Sequence, residues 1–220
     1  GEDFVYQADT LTFGVGEISK TVTIAVLNDE ILEMPEAFTV QLGATTGGLL
    51  LGRSIGYDVI EDDDTSALVS ITDGTPMPAI EGEGATITFT VTLSEPVDHV
   101  TTVAYQTVDG SAVAGEDFVY QADTLTFGVG EISKTVTVTV LNDEILEYPE
   151  SFTVKLDTPT GGLLIADGSG LGGIRDDDPS ATVRISDGTP LPATETEGAT
   201  ITFTVRLRQP VDHETSVSYS

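Results

Sequence analysis

The sequence predicts an all-β chain, a tandem array of immunoglobulin-like antiparallel β-sandwich domains. Three observations carry this: short runs in which apolar and polar residues alternate, turn residues between those runs, and a repeat whose period is the length of a domain.

The alternation is clearest at Thr86–Leu93, where Ile87, Phe89, Val91 and Leu93 interleave with threonines. It recurs at Thr135–Val140 with Val136, Val138 and Val140. A side-chain period of two puts each apolar set on one face of a sheet. Leu68–Ile71, Val103–Tyr105, Leu125–Phe127 and Phe152–Leu156 read as further strands, with Asp73-Gly74, Asp109-Gly110 and Gly161-Gly162 as turns. About seven such strands per period, each with one apolar face, require two sheets packed face to face. Lys20, Lys134 and Lys155 read as charges that blunt edge strands.

The repeat supplies the domain count. Gly1–Thr23 recurs letter for letter as Gly115–Thr137, 114 positions on. Ile71–Pro76 matches Ile185–Pro190, and Val97-Asp98-His99 matches Val211-Asp212-His213, at the same spacing. A period this long suits a globular domain rather than a solenoid turn. With the unit beginning after each DDD run, residues 1–64 are the C-terminal part of one repeat, 65–178 a complete repeat, and 179–220 the N-terminal part of a further one. Two full periods would also need a counterpart of Thr107–Ala114, and Gly1 falls inside the unit. The expected partners are therefore neighbouring repeats of one array, or head-to-tail copies of the same chain.

Charge narrows the function. The chain holds 37 acidic and 8 basic residues, a formal charge of -29. Such a surface repels nucleic acid and anionic membranes. No apolar run approaches the ~20 residues that span a bilayer, so no membrane insertion is expected. Disordered acidic chains lack alternating apolar runs, so the excess carboxylates belong to a folded protein. With no cysteine, neither disulfides nor thiolate zinc sites contribute. The two histidines, His99 and His213, are one repeat position seen twice, and no nucleophile motif accompanies them. The sequence therefore does not read as an enzyme.

The acids gather where loops are expected: Glu81, Asp117, Asn142-Asp143-Glu144, Glu147, Glu150 and Asp176–Asp178. Any one of them is ordinarily a solvated surface charge. Their concentration at loops, with few lysines or arginines to balance them, points to bound cations. Calcium takes six to eight oxygen ligands in a flexible geometry that converging loops suit, whereas magnesium demands a stricter octahedron.

At these residues the sequence resembles the Calx-beta family. The landmarks are EGEGATITFTVTLS at 81–94, TVDGSAVAGEDF at 107–118, TLTFGVGEISKTVTVTVLNDEILEYPESFTVKL at 124–156 and the closing DDD at 176–178. The resemblance implies calcium as the cofactor, several ions per complete domain. It implies ligands at Glu81, Asp117, Asn142, Asp143, Glu147, Glu150, Asp176, Asp177 and Asp178, with a backbone carbonyl near Ile145. The partial copies carry the set divided: Asp3, Asn28, Asp29, Glu33, Glu36, Asp62, Asp63 and Asp64 in front, Glu195 behind. Asn142 stands where the family commonly has Asp, which keeps an oxygen but loses a charge.

The functional expectation is a calcium-stiffened structural repeat of an extracellular fibre, filament or adhesin stalk, secreted or on a bacterial cell surface. An adhesive module and a calcium-sensing regulatory domain are the alternatives. Ions at each DDD junction are expected to tie neighbouring domains together.

Overall fold

The computed structural model describes residues 3–64, 66–178 and 180–220, so the linker positions Thr65 and Pro179 lie outside the described residues. Residues 68–175 form two sheets. One has four strands in the order β10 (Leu164–Asp167), β3 (Leu68–Ile71), β5 (Thr86–Leu93) and β8 (Ser133–Thr139). The other has five: β4 (Ala79–Ile80), β11 (Ser169–Arg175), β9 (Glu150–Asp157), β6 (Thr101–Val108) and β7 (Ala122–Phe127). Most pairings are antiparallel; β10 with β3 and β4 with β11 are parallel. The expected β-sandwich is thus present, with nine strands among the described residues rather than about seven.

The core follows from the alternation. β5 buries Ile87, Phe89, Val91 and Leu93 and turns its threonines outward. The faces meet through Phe89 and Phe152, whose ring centroids lie 6.0 Å apart near edge to face, and Phe152 also stacks on Phe118 at 4.2 Å. Aromatic pairs in these arrangements add to the burial of their area.

The missed strands are the glycine-rich and short ones. A Cβ on Gly170 would sit 2.3 Å from Thr72 O, and one on Gly172 would sit 2.6 Å from the Phe152 ring. These contacts require glycine, and so remove from β11 the apolar side chains by which a strand is recognised. Gly168 lies where the chain leaves β10 in one sheet for β11 in the other. Two expectations need correction. Asp73-Gly74 is not a tight turn: Gly74 N–H donates to Leu171 O at 2.8 Å, and Leu171 N–H donates to Asp73 Oδ1 at 2.8 Å. Lys155 does not protect an edge, because β9 lies between β11 and β6. Lys134 is on edge strand β8 and pairs with Glu131 at 2.6 Å.

The flanking stretches hold less structure. In front, β1 (Glu36–Gln41) pairs antiparallel with β2 (Ile55–Ile60); behind, β12 (Val183–Ile185) pairs antiparallel with β13 (Val205–Leu207). Both leave large apolar side chains exposed, among them Phe13, Val22, Ile201 and Phe203. Among the described residues no helix is long and apolar enough to cross a membrane.

Candidate metal centre

The acids of the central sandwich converge at one end through backbone pairing that the strands impose. Ala79 and Ile80 of β4 run parallel to Ile174 and Arg175 of β11, and Glu81 N–H then donates to Arg175 O at 2.9 Å. Glu81 and Asp176–Asp178 are thereby neighbours. Phe118, fully buried, bridges Val140 just beyond β8, and Leu141 N–H donates to Asp117 O at 2.9 Å. This brings the G-E-D-F step beside the 142–150 loop. Glu150 opens β9 opposite Ile174.

Side chains then close the site. Val113 N–H donates to Asp117 Oδ2 at 2.6 Å, and Ile145 N–H donates to Asp143 Oδ1 at 2.6 Å. Asp176 accepts from Glu147 N–H at 3.0 Å through Oδ2 and from Asp178 N–H at 2.7 Å through Oδ1. Two triads have carboxylate oxygens within 4.8 Å of one another: Glu81, Asp176 and Asp177, and Glu81, Asp117 and Glu147. Glu81 belongs to both.

The electrostatics are severe. Glu81 is 5% exposed and Asp117 6%, and no described group donates a hydrogen bond to the Glu81 carboxylate. Among the described residues no lysine or arginine forms an ion pair with any acid of this site. Burial, followed by the charges of Glu147, Asp176, Asp143 and Asp117, pushes Glu81 up to about 7. Burial also raises Glu147 to about 7, with Asp117 the leading neighbour. Glu150 reaches about 7 through burial, the charge of Asp117 and a hydrogen bond shared with its carboxyl. Buried like charges destabilise their ionised forms unless a cation neutralises them.

The remaining predicted residues divide. Asn142 is exposed and donates from Nδ2 to Asp143 O at 3.2 Å; Ile145 is half-buried. In front, Asp3, Asn28, Asp29, Glu33, Glu36, Asp62 and Asp63 line one cleft. It repeats the central network: Glu33 N–H to Asp62 Oδ2 at 2.7 Å, Asp64 N–H to Asp62 Oδ1 at 3.0 Å, Ile31 N–H to Asp29 Oδ1 at 2.9 Å. Glu195 is exposed and joins none of these groups.

Sequence reasoning missed the junctions. Leu32 forms a parallel bridge with Val97, and Leu146 does the same with Val211. Both lie inside the acidic loops, and their partners are the recurring Val-Asp-His tripeptide, which had served only as a register mark.

A β-sandwich with acids gathered at one end defines a class of modules suited to binding hard cations, and comparison with known proteins narrows it. The Calx-beta domain profile matches residues 1–73 and 61–189, and the chain belongs to that family. The chain is 33% identical over 159 residues to "Adhesion G-protein coupled receptor V1" of Danio rerio, across 70% of this chain and 2% of that protein. It is 30% identical over 178 residues to "Sodium/calcium exchanger 2" of Rattus norvegicus, across 72% of this chain and 19% of that protein. It therefore spans a small fraction of either relative's length. Similar solved structures include the apo form of the Calx CBD1 domain, with TM-score 0.47, 26% identity, and 51% of this chain and 99% of that chain covered. Another is the calcium binding domain CBD12 of CALX1.1, with TM-score 0.46, 27% identity, and 53% and 50% covered.

Proposed function

We propose that this chain is a calcium-binding structural stretch of an extracellular array, in which residues 65–178 form one complete repeat between parts of two others. The single observation that carries it is Glu81: a nearly buried carboxylate with no hydrogen-bond donor among the described residues, shared by two acid triads with which no described lysine or arginine forms an ion pair. Hard oxygen donors in this number suit calcium better than magnesium or a transition metal. Two ions sharing Glu81 would satisfy both triads, with Asp117 and Glu147 on one and Asp176 and Asp177 on the other. Membership of the Calx-beta family supports the choice of ion and a non-catalytic role. Leu32, 6% exposed and docked on the next sandwich, supports stiffening as the purpose, since each acidic loop also carries a contact between copies.

The test is calorimetric titration of the intact chain with calcium and, separately, magnesium. Calcium should bind at the central site, magnesium far more weakly, and Glu81→Gln should weaken calcium uptake while chelated Glu81→Gln stays folded. Absence of calcium uptake by the intact chain would sink the reading. X-ray scattering with and without calcium tests the stiffening: a calcium-bound chain that is no more extended or uniform than the chelated one removes the structural role.

A further inference from the structure

Asp98 and Asp212 are one repeat position, and at both places the chain folds that position against the acidic loop of the preceding copy. At the first junction Leu32 N–H donates to Pro96 O at 3.2 Å, and Asp98 N–H donates to Leu32 O at 3.1 Å. At the second, Leu146 N–H donates to Pro210 O at 3.2 Å, and Asp212 N–H donates to Leu146 O at 3.3 Å. Because Leu146 stands between Asp143 and Glu147, this tether sets the Asp212 backbone beside the carboxylates of the central site.

The side chains follow the backbone. Asp98 Oδ2 lies 3.5 Å from Met34 N, within the front acidic loop. The charge of Asp98 reaches Glu33 and Glu36, and that of Asp212 reaches Glu147 and Glu150, raising the pKa of all four alongside larger causes, burial first for Glu33, Glu147 and Glu150 and the hydrogen bond with Asp3 for Glu36. One oxygen of Asp212 is occupied by its neighbour, His213 Nδ1 at 2.5 Å from Oδ1, and the His213 ring lies 4.2 Å from the Tyr148 ring. A histidine that holds one oxygen orients the other, as partners beyond the ligands do in metal sites. A further acid placed against a site already short of positive charge is unfavourable without an ion to share. Glu81, 5% exposed and without a hydrogen-bond donor among the described residues, points separately to a site built around a cation.

We propose that Asp98 and Asp212 are ligands that each following repeat lends to the cation site of the repeat before it, so that the ion spans the junction. The inference rests on the calcium reading of the acidic site. It makes ion binding and docking of the next repeat reciprocal: the docked arrangement binds calcium more tightly, and calcium favours docking to the same degree.

The experiment uses the intact chain, with calcium titrated by calorimetry and terbium substituted so that luminescence lifetimes in water and deuterium oxide count coordinated waters. Asp212→Asn should weaken calcium binding about ten-fold and add about one water to terbium, since one charged oxygen is replaced by solvent. Asp212→Glu should restore the lower water count. Glu214→Gln, which changes net charge equally two residues away, should alter neither. If Asp212→Asn behaves like Glu214→Gln in hydration, Asp212 acts only through its field and the proposal is overturned. If the unsubstituted chain takes up neither ion, the calcium reading itself fails.

Discussion

The front acidic cleft and the central site share the acids of one loop and of a DDD run, 114 positions apart, and three backbone-to-aspartate hydrogen bonds, yet the glutamates of the two loops are shifted to different extents. Glu33 and Glu147 both donate their N–H to the first aspartate of a DDD run. Only Glu147 is pushed up to about 7; Glu33 is raised less far, by burial and then by Asp3 and Asp29. The difference lies in what closes each site. The central site has Glu81, delivered by β4, and Asp117 seated on a fully buried Phe118. The front cleft has no described counterpart of Glu81, and Asp3 and Phe4 are half-buried. The lesson is that the local sequence makes the loop, whereas the surrounding strands set the charge state of its acids.

The largest effect should come from the aromatic floor. Phe118→Ala removes a ring stacked on Phe152 at 4.2 Å and should cost ~3–5 kcal/mol by denaturant unfolding. Phe4→Ala, its counterpart stacked on Phe38 at 5.0 Å, should cost clearly less because Phe4 is not fully buried. Equal losses would break the comparison. Next, calcium at about 100 times its Kd should stabilise the central sandwich by ~2.7 kcal/mol per occupied site, read by calorimetric unfolding against chelated protein.

Leu32→Ala and Leu146→Ala sharpen the comparison at the junctions. Leu32 is buried beside Val97 and the Gly161-Gly162 turn, whereas Leu146 is half-buried. The first should cost ~2–3 kcal/mol and the second about half that. A larger loss at Leu146 would mean that burial is not what fixes the junction.

The raised carboxyls give a signed pH dependence in chelator. Glu81, Glu147 and Glu150 have folded pKa values of about 7 against an ordinary 4.5. Between these values the folded state holds more protons than the unfolded one, so stability falls as pH rises from 4.5 through 7. Chelated protein should therefore melt at a lower temperature at pH 8 than at pH 5.5, and saturating calcium should narrow the gap. Glu81→Gln should flatten the chelated profile. The smallest effect is local: Thr158 has a φ of 43°, and Thr158→Asn should gain ~0.5–1 kcal/mol because asparagine tolerates the left-handed region better.

Much of this was legible from residue order alone. A period of two in Thr86–Leu93 specified which face of β5 is buried, because a strand offers its side chains only two directions. The repeat set the register of the whole chain, and the DDD and NDE runs named the acids that the fold gathers. Tertiary structure decided the rest. β11 could not be read because its glycines answer to Thr72 and Phe152, which are distant in sequence. Glu195 holds the repeat position of Glu81 and yet is exposed and in none of the acid groups found among the described residues, because a carboxylate joins a site only where strands bring other acids to it. The docking of Leu32 and the approach of Asp98 to the preceding loop were equally invisible, since a repeat shows what recurs within each copy, and only folded neighbours show what passes between them.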